Sequence, residues 1–214
     1  MQDFIVLIPS RMESTRLPGK PLKLIGNKTL IQRVYEQALQ SKAKKVLVAT
    51  DSEEIISHCS NNSIDTVLTR RGHLTGSDRL AEAVNILDLE GDQIVVNVQG
   101  DEPFIDPKDI NNLFDLMVQK SSNMATLFAN LDAKDITNTS VVKLWIKEDG
   151  CVVNFSRKID DKHDIDKAKK HLGIYAYRAS FLKQFVKWPQ SERELDAQLE
   201  QMRAMDHKLS LIHI

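Results

Sequence analysis

Three short segments carry residue types suited to phosphate chemistry. The first, PSRMESTRLPGK over 9–20, directly follows the apolar run Phe4-Ile5-Val6-Leu7-Ile8 and sets Arg11, Arg16 and Lys20 against one acid, Glu13. Guanidinium forks and a compact ammonium in one loop make a cradle for phosphate or carboxylate. Gly19 lets backbone N–H groups approach such a ligand. The loop is no Walker A motif, since GxxxxGK[ST] is absent, and charge alone is equally served by a solvated basic turn. The second segment, QGDEP over 99–103, follows Ile94–Val98 and offers the carboxylates of Asp101 and Glu102. Mg²⁺ commonly takes one or two protein carboxylates and completes its shell with waters and phosphate oxygens. A helix-leading turn broken by Pro103 is the plain alternative. The third segment, TRRGHLTGSDR over 69–79, adds hydroxyls, two glycines and further arginines near a helix start. Ser77 can be read there as an N-cap and His73 as a loop histidine rather than a ligand.

These segments need strands to bring them to one edge. Short Val- and Ile-rich runs predict buried strands at Phe4–Ile8, Val46–Ala49, Thr66–Leu68 and Ile94–Val98. Helical periodicity falls between them, over 29–41, 52–60 and 77–88. Asp51 is the expected cap of the second helix, with Glu54 completing a capping box. This alternation implies a mostly parallel sheet with right-handed crossovers, in which ligands bind beyond the carboxyl ends of the strands. After a helix at 107–119 the pattern changes to strands at Met124–Ala129, Val141–Ile146, Val152–Phe155 and Leu172–Tyr177, with helices over 179–187 and 191–205. This half is the expected antiparallel lobe. Arg157–Lys170, RKIDDKHDIDKAKK, reads as a solvated loop or exposed helix, and Leu209–Ile214 as a terminal strand.

Bulk properties narrow the function. The chain has 214 residues, is 42% hydrophobic and carries a net charge of −1. That is enough for one substantial core. It gives no global field for nucleic acid or a membrane surface, so any anion site is local. Cys59 and Cys151 form no CxxC pair, which argues against zinc and for a reducing cytoplasm, and both read as small core hydrophobes. No apolar run approaches the ~20 residues of a membrane span, and Met-Gln-Asp does not open a signal peptide.

In order along the chain, IPSRMESTRLPGKPL, VATD, TGSDRLAEAV, VNVQGDEP, MATL, VVK, NFSR and KHLGIYAYR resemble the 3-deoxy-manno-octulosonate cytidylyltransferases, the CMP-Kdo synthetases. The resemblance covers nearly the whole chain, and its motifs are specific jointly rather than singly. It implies an α/β, Rossmann-like nucleotidyltransferase fold, a mostly parallel sheet with helices on both faces and a small antiparallel lobe. It implies one domain over 1–214, with a nucleotide-binding half (1–120) and a sugar-binding and dimerisation half (121–214). It also implies Mg²⁺ as cofactor, a cytoplasmic homodimer, and the conversion of CTP and Kdo into CMP-Kdo and pyrophosphate for lipopolysaccharide assembly. By the same resemblance Arg11 and Lys20 bind the triphosphate and, with Asp101, carry catalysis. Ser10, Thr75, Gly76, Arg79 and Gln99 surround the nucleotide, Arg79 by holding its loop. Arg16, Arg157, His171, Tyr175, Glu200 and Gln201 meet the sugar acid, and Asp101 is the metal ligand.

Two departures accompany the resemblance. The segment between Arg157 and His171 is shorter than the family often carries, which bears on the dimer contact. The family's segment resembling VDTPEDL, with a second metal-binding aspartate, has no match before Ile214. Activation of a different sugar acid, or nucleotide binding without turnover, are the rival expectations. The HLGIY segment speaks against the first, and pyrophosphate release decides the second.

Overall fold

The first strand, β1 (Phe4–Ser10), forms because an unbroken apolar run can be covered on both sides. Phe4, Val6 and Ile8 enter one core and Ile5 and Leu7 the other. The computed structural model describes residues 3–13, 17–160, 164–207 and 212–213. After β1 come β2 (Leu24–Ile25), β3 (Lys28–Thr29), α1 (Leu30–Leu39), β4 (Lys45–Thr50), α2 (Glu53–Asn61), β5 (Thr66–Leu68), α3 (Gly76–Ile86), β6 (Ile94–Asn97) and α4 (Pro107–Lys120). The second half adds β7 (Met124–Asn130), β8 (Lys143–Ile146), β9 (Val152–Ser156), β10 (Lys169–Arg178), α5 (Ala179–Phe185), α6 (Glu192–Ala197), α7 (Gln201–Asp206) and β11 (Ile212–His213).

Among the described residues nine strands form the main sheet, in the order β11-β7-β10-β6-β1-β4-β5, with β8 branching from β10 and β9 from β8. The pairs β1–β4, β1–β6, β4–β5 and β7–β11 are parallel. β10 runs antiparallel between β6 and β7, and β8 and β9 form the antiparallel lobe. A separate two-stranded sheet, β2–β3, follows the opening loop. Side chains from α1, α2 and α4 cover one face, and those from α3, α5 and α7 the other. The expected α/β sheet with helices on both faces and an antiparallel lobe is the fold observed. Among the described residues no helix is long and apolar enough to cross a membrane.

Several local expectations are corrected. Ser52, not Asp51, caps α2, its hydroxyl accepting from the Ile55 N–H, and Asp51 is drawn instead to Arg79. The expected helix over 191–205 is two helices, α6 and α7. Gln198 adopts a left-handed conformation (φ 52°) between them and stops the first. Thr75, not Ser77, caps α3, in a capping box with Asp78. The charged segment over 157–170 contains a short 3₁₀ turn at Ile165–Lys167, and its last residues belong to β10. Of the strand expected at Leu209–Ile214, Ile212–His213 pairs with β7, and the remainder lies outside the described residues. Cys59 is buried, and burial raises its thiol pKa to about 11, whereas Cys151 is only half-buried.

Candidate active site

The parallel strands β1, β4, β5 and β6 deliver their carboxyl ends to one edge, and a cleft of about 480 Å³ opens there. Its lining includes Ser10, Arg11, Lys20, Thr75, Gly76, Arg79, Gln99 and Asp101, so the nucleotide-side residues expected from sequence converge on one cavity. Arg16 lies outside the described residues.

Local chemistry explains this convergence. Gly19, left-handed at φ 67°, sends its N–H to the Met12 carbonyl (3.0 Å) and folds the opening loop back on itself. Lys20 thereby begins a 3₁₀ turn with its ammonium 2.6 Å from the Asp101 carboxylate. Gly100 has a different reason to be glycine. A Cβ there would stand 2.7 Å from the Pro9 carbonyl oxygen, so only hydrogen lets the β6 loop pass the β1 loop so closely. Glu102, beside Asp101, has its pKa raised by lost hydration and by the Asp101 charge, with Lys20 and Lys170 opposing. Among the described residues no three His, Cys, Asp or Glu side chains cluster as a metal cage.

The α3 loop is fixed from behind. The buried Arg79 guanidinium donates to Thr69 Oγ1 (2.6 Å) and Asp51 Oδ2 (2.8 Å), tying the ends of β4 and β5 to the first turn of α3. Arg79 lines the cleft, but its bonds hold the loop. His73 is buried and bonded to Glu82, which also accepts from the Arg70 N–H. The His73 residue also lines the cleft.

A second wall lies outside that lining: β10 carries His171 and Tyr175 with ring centroids 5.3 Å apart, and Glu200 and Gln201 stand at the start of α7, with Thr75 joining Glu200 to the cleft. His171 Nε2 lies 3.0 Å from Thr126 Oγ1, and burial lowers its pKa to about 3, so the imidazole is neutral. Burial also raises the Tyr175 phenol, with Tyr177 and Glu200 adding to the effect. Desolvation raises Glu200, opposed by the neighbouring Thr75 and Ser77 hydroxyls and by Arg203. Those hydroxyls mark where the two walls meet, at the start of α3. Arg157 stands apart. Its guanidinium donates to the carbonyls of Ala197 (3.1 Å), Gln198 (3.2 Å) and Thr139 (3.4 Å).

Five buried polar atoms lack a well-formed hydrogen bond among the described residues: Ser10 Oγ, Ser77 Oγ, Asn97 Oδ1, Glu200 Oε1 and Gln201 Nε2. Buried polar groups are almost always paired. Of the five, Ser10 lines the cleft, and Ser77 and Glu200 lie together at the start of α3. Asn97, beside Tyr177 in the second wall, was not among the residues singled out from sequence. The available signal was an amide inside the apolar run Ile94–Val98, where it is 2% exposed. Asp51, Thr69 and Glu82, which brace the loop, left no comparable signal.

An open α/β sheet that gathers a cationic loop, an acidic loop and a polar wall around one strand-end cleft defines a nucleotidyltransferase. The cytidylyltransferase family model matches residues 5–211. The chain is 44% identical to the 3-deoxy-manno-octulosonate cytidylyltransferase of Pseudomonas fluorescens (strain SBW25), covering 99% of this chain and 88% of the relative. It is 39% identical to the enzyme of that name from Haemophilus influenzae (strain 86-028NP), covering 94% and 85%. A solved CMP:2-keto-3-deoxy-manno-octonic acid synthetase, complexed with CTP, superposes with a TM-score of 0.92 at 35% identity, over 100% of this chain and 89% of that one. The chain belongs to the 3-deoxy-manno-octulosonate cytidylyltransferase family.

Proposed function

We propose that this chain transfers CMP from CTP to 3-deoxy-D-manno-octulosonate, releasing pyrophosphate and supplying CMP-Kdo for lipopolysaccharide assembly in the cytoplasm, as a homodimer. The observation that carries the reading is the adjacency of two unlike walls. The nucleotide side is charged, with Arg11, Lys20 and Asp101. The other side is uncharged imidazole and phenol beside Glu200 and Gln201. The first suits a triphosphate and the second a polyhydroxylated sugar.

In the reaction, the sugar's anomeric hydroxyl oxygen bonds to the α-phosphorus. The bond from that phosphorus to the bridging β-phosphate oxygen breaks, its electron pair leaving with pyrophosphate, and the hydroxyl proton passes to water. Arg11 and Lys20 hold the β- and γ-phosphates and offset the charge gathering on the departing pyrophosphate. Ser10, Thr75, Gly76 and Gln99 contact the base and ribose, with Arg79 keeping the α3 loop in place. His171, Tyr175, Glu200 and Gln201 orient the sugar for in-line approach, which turns a bimolecular encounter into a positioned one. Arg16 is assigned to the sugar acid's carboxylate. Asp101, half-exposed on the cleft, is a fitting single carboxylate anchor for Mg²⁺. Held by Asp101, such an ion would supply positive charge to offset that of the phosphates and would favour ionisation of the attacking hydroxyl. Lys20 exchanges its Asp101 contact for phosphate as CTP arrives.

The test is pyrophosphate release with CTP and Mg²⁺, comparing Kdo with N-acetylneuraminate. Turnover with Kdo and a much lower rate with N-acetylneuraminate is the expected result. Equal rates would remove the substrate assignment, and no release with either would remove the activity.

A further inference from the structure

We propose that the phenol of Tyr177 is a positioning group for the transfer step, joining the nucleotide wall to the sugar wall from inside the core and setting the distance between them. What each wall binds is taken from the function proposed above; the joint itself is defined by packing alone.

Strand alternation brings the polar groups to one face. Ile94 and Val96 of β6 enter one core and Val95 the other, so Asn97 lies on the Val95 face, toward α3, α5 and α7. In the antiparallel β6–β10 pair, Asn97 stands opposite Tyr175 and Val95 opposite Tyr177. Tyr177 is buried, its ring centroid 6.1 Å from that of Tyr175 and 6.5 Å from that of Phe185. Ser77, in the first turn of α3, is as deeply buried as Asn97. The phenol has both of them as neighbours, with the Glu200 charge close by, and Glu200 lies in turn beside Thr75 and Ser77. One buried polar junction therefore joins β6, β10, α3 and the start of α7, the four elements that carry the two walls.

Phenylalanine would fill the Tyr177 ring position without the cost of burying a hydroxyl. What the oxygen adds is one donor and one acceptor. Ser77 Oγ, Asn97 Oδ1 and Glu200 Oε1, the polar atoms around it, are buried without a well-formed hydrogen bond among the described residues. The phenol is the polar group set among them, and burial with the Glu200 charge keeps it protonated. Each neighbour passes its position on to a wall. The Thr75–Asp78 capping box makes the first turn of α3 one unit, so Ser77 sets the place of Thr75 and Gly76 in the cleft. Asn97 stands two residues before Gln99, in a loop left little slack by the approach of Gly100 to Pro9. On the other side, Tyr175 shares a strand face with Tyr177, and Glu200 abuts Ser77. In-line attack depends on the relative placement of the two substrates, and so on the separation of the walls that hold them.

Tyr177→Phe tests this, because it removes one oxygen and keeps the ring. The expected result is a kcat for pyrophosphate release about tenfold lower, with Kd for CTP and for Kdo, each titrated alone by calorimetry, within about twofold of wild type. Ser77→Ala removes the same junction from the other side. The double variant should lose little more than either single one, because coupled residues are not additive. Amide hydrogen exchange over 76–80 and 199–203 should quicken in Tyr177→Phe by about threefold or more. A wild-type kcat in Tyr177→Phe overturns the proposal. So does a weaker Kd for Kdo at unchanged kcat, since the phenol would then be a sugar contact, and so do losses that multiply in the double variant. If the wild-type chain releases no pyrophosphate from CTP and Kdo, the assignment of the walls falls and the exchange measurement decides the joint: quickening in both segments supports it, and unchanged exchange in either overturns it.

Discussion

Replacing Gly100 with alanine places a methyl group 2.7 Å from the Pro9 carbonyl oxygen, where ordinary contact begins at 3.4 Å. Neither side can yield by a rotamer change. Both are backbone, Pro9 lies within the β1–β4 ladder, and the β6 loop leaves directly from a buried strand. The loops must separate by about 0.7 Å, and Asp101, the next residue, moves with its loop. Overpacking of this kind costs about 1–3 kcal/mol. In a chain of this length that lowers the melting temperature by roughly 2–12 °C. A misplacement approaching 1 Å at the reacting centre costs about 10²-fold in rate. Gly76→Ala is the matched control, because its Cβ would meet the Pro9 ring at an ordinary 3.7 Å, in the first turn of a helix. There alanine is favoured over glycine by up to about 1 kcal/mol. Pyrophosphate release and differential scanning calorimetry on both variants give the answer. Gly100→Ala should lose activity and stability, and Gly76→Ala should keep its stability. A Gly100→Ala protein that melts and turns over like wild type refutes the close-approach argument.

Other expectations follow from the site. Asp101→Asn should reduce turnover about 10²-fold at saturating Mg²⁺, as loss of one charge-stabilising contact does, with near-normal melting because the side chain is half-exposed. Lys20→Ala should weaken CTP far more than Kdo in calorimetric titration, and equal weakening would contradict the division between walls. His171→Ala and Tyr175→Phe should raise KM for Kdo and leave CTP binding nearly unchanged; a loss confined to CTP would reverse the assignment. His171 also predicts a pH dependence. Its pKa falls from 6.5 to about 3 on folding, so between these values the unfolded chain binds a proton that the native state refuses. Stability therefore declines through this contribution as pH drops from about 6.5 to 3, and His171→Asn should flatten that slope in urea titrations.

The residues proposed for the nucleotide were more legible than those proposed for the sugar, for a physical reason. Its residues sit at the ends of parallel strands that announce themselves as apolar runs, so one topological rule places Ser10, Gln99 and Asp101 at a common edge. Gly100, by contrast, gave no sign that its close neighbour would be the Pro9 backbone. The sugar side depends on where two short helices break, and Gln198 gives no warning of its left-handed turn in a run that reads as one helix. The capping errors share a cause. Asp51 and Ser52 are both good caps by type, and the choice was made by Arg79, a residue 28 positions away that claims the aspartate. Single-sequence reasoning ranks local partners and is blind to such distant competition. For the same reason a resemblance assigns Arg157 to the sugar, while only coordinates show which carbonyls its donors meet.

The two walls differ in charge for a reason that bears on catalysis. A triphosphate needs cations, but cations placed equally around the sugar would bind ground state and transition state alike and leave the rate of the chemical step unchanged. Burial keeps His171 neutral and Tyr175 protonated, so on the proposed assignment they offer the sugar hydrogen bonds that fix orientation without adding positive charge. Charge is then concentrated near Arg11, Lys20 and Asp101, where negative charge shifts onto the leaving pyrophosphate. The same burial makes the proposed sugar wall demanding, because Glu200 Oε1 and Gln201 Nε2 are buried without a well-formed hydrogen bond among the described residues. A substrate lacking the matching hydroxyl leaves them unpaired, and that penalty discriminates more strongly than a missing apolar contact does. Selectivity on this side should accordingly show as loss of deoxy analogues of the sugar rather than as loss of bulkier ones.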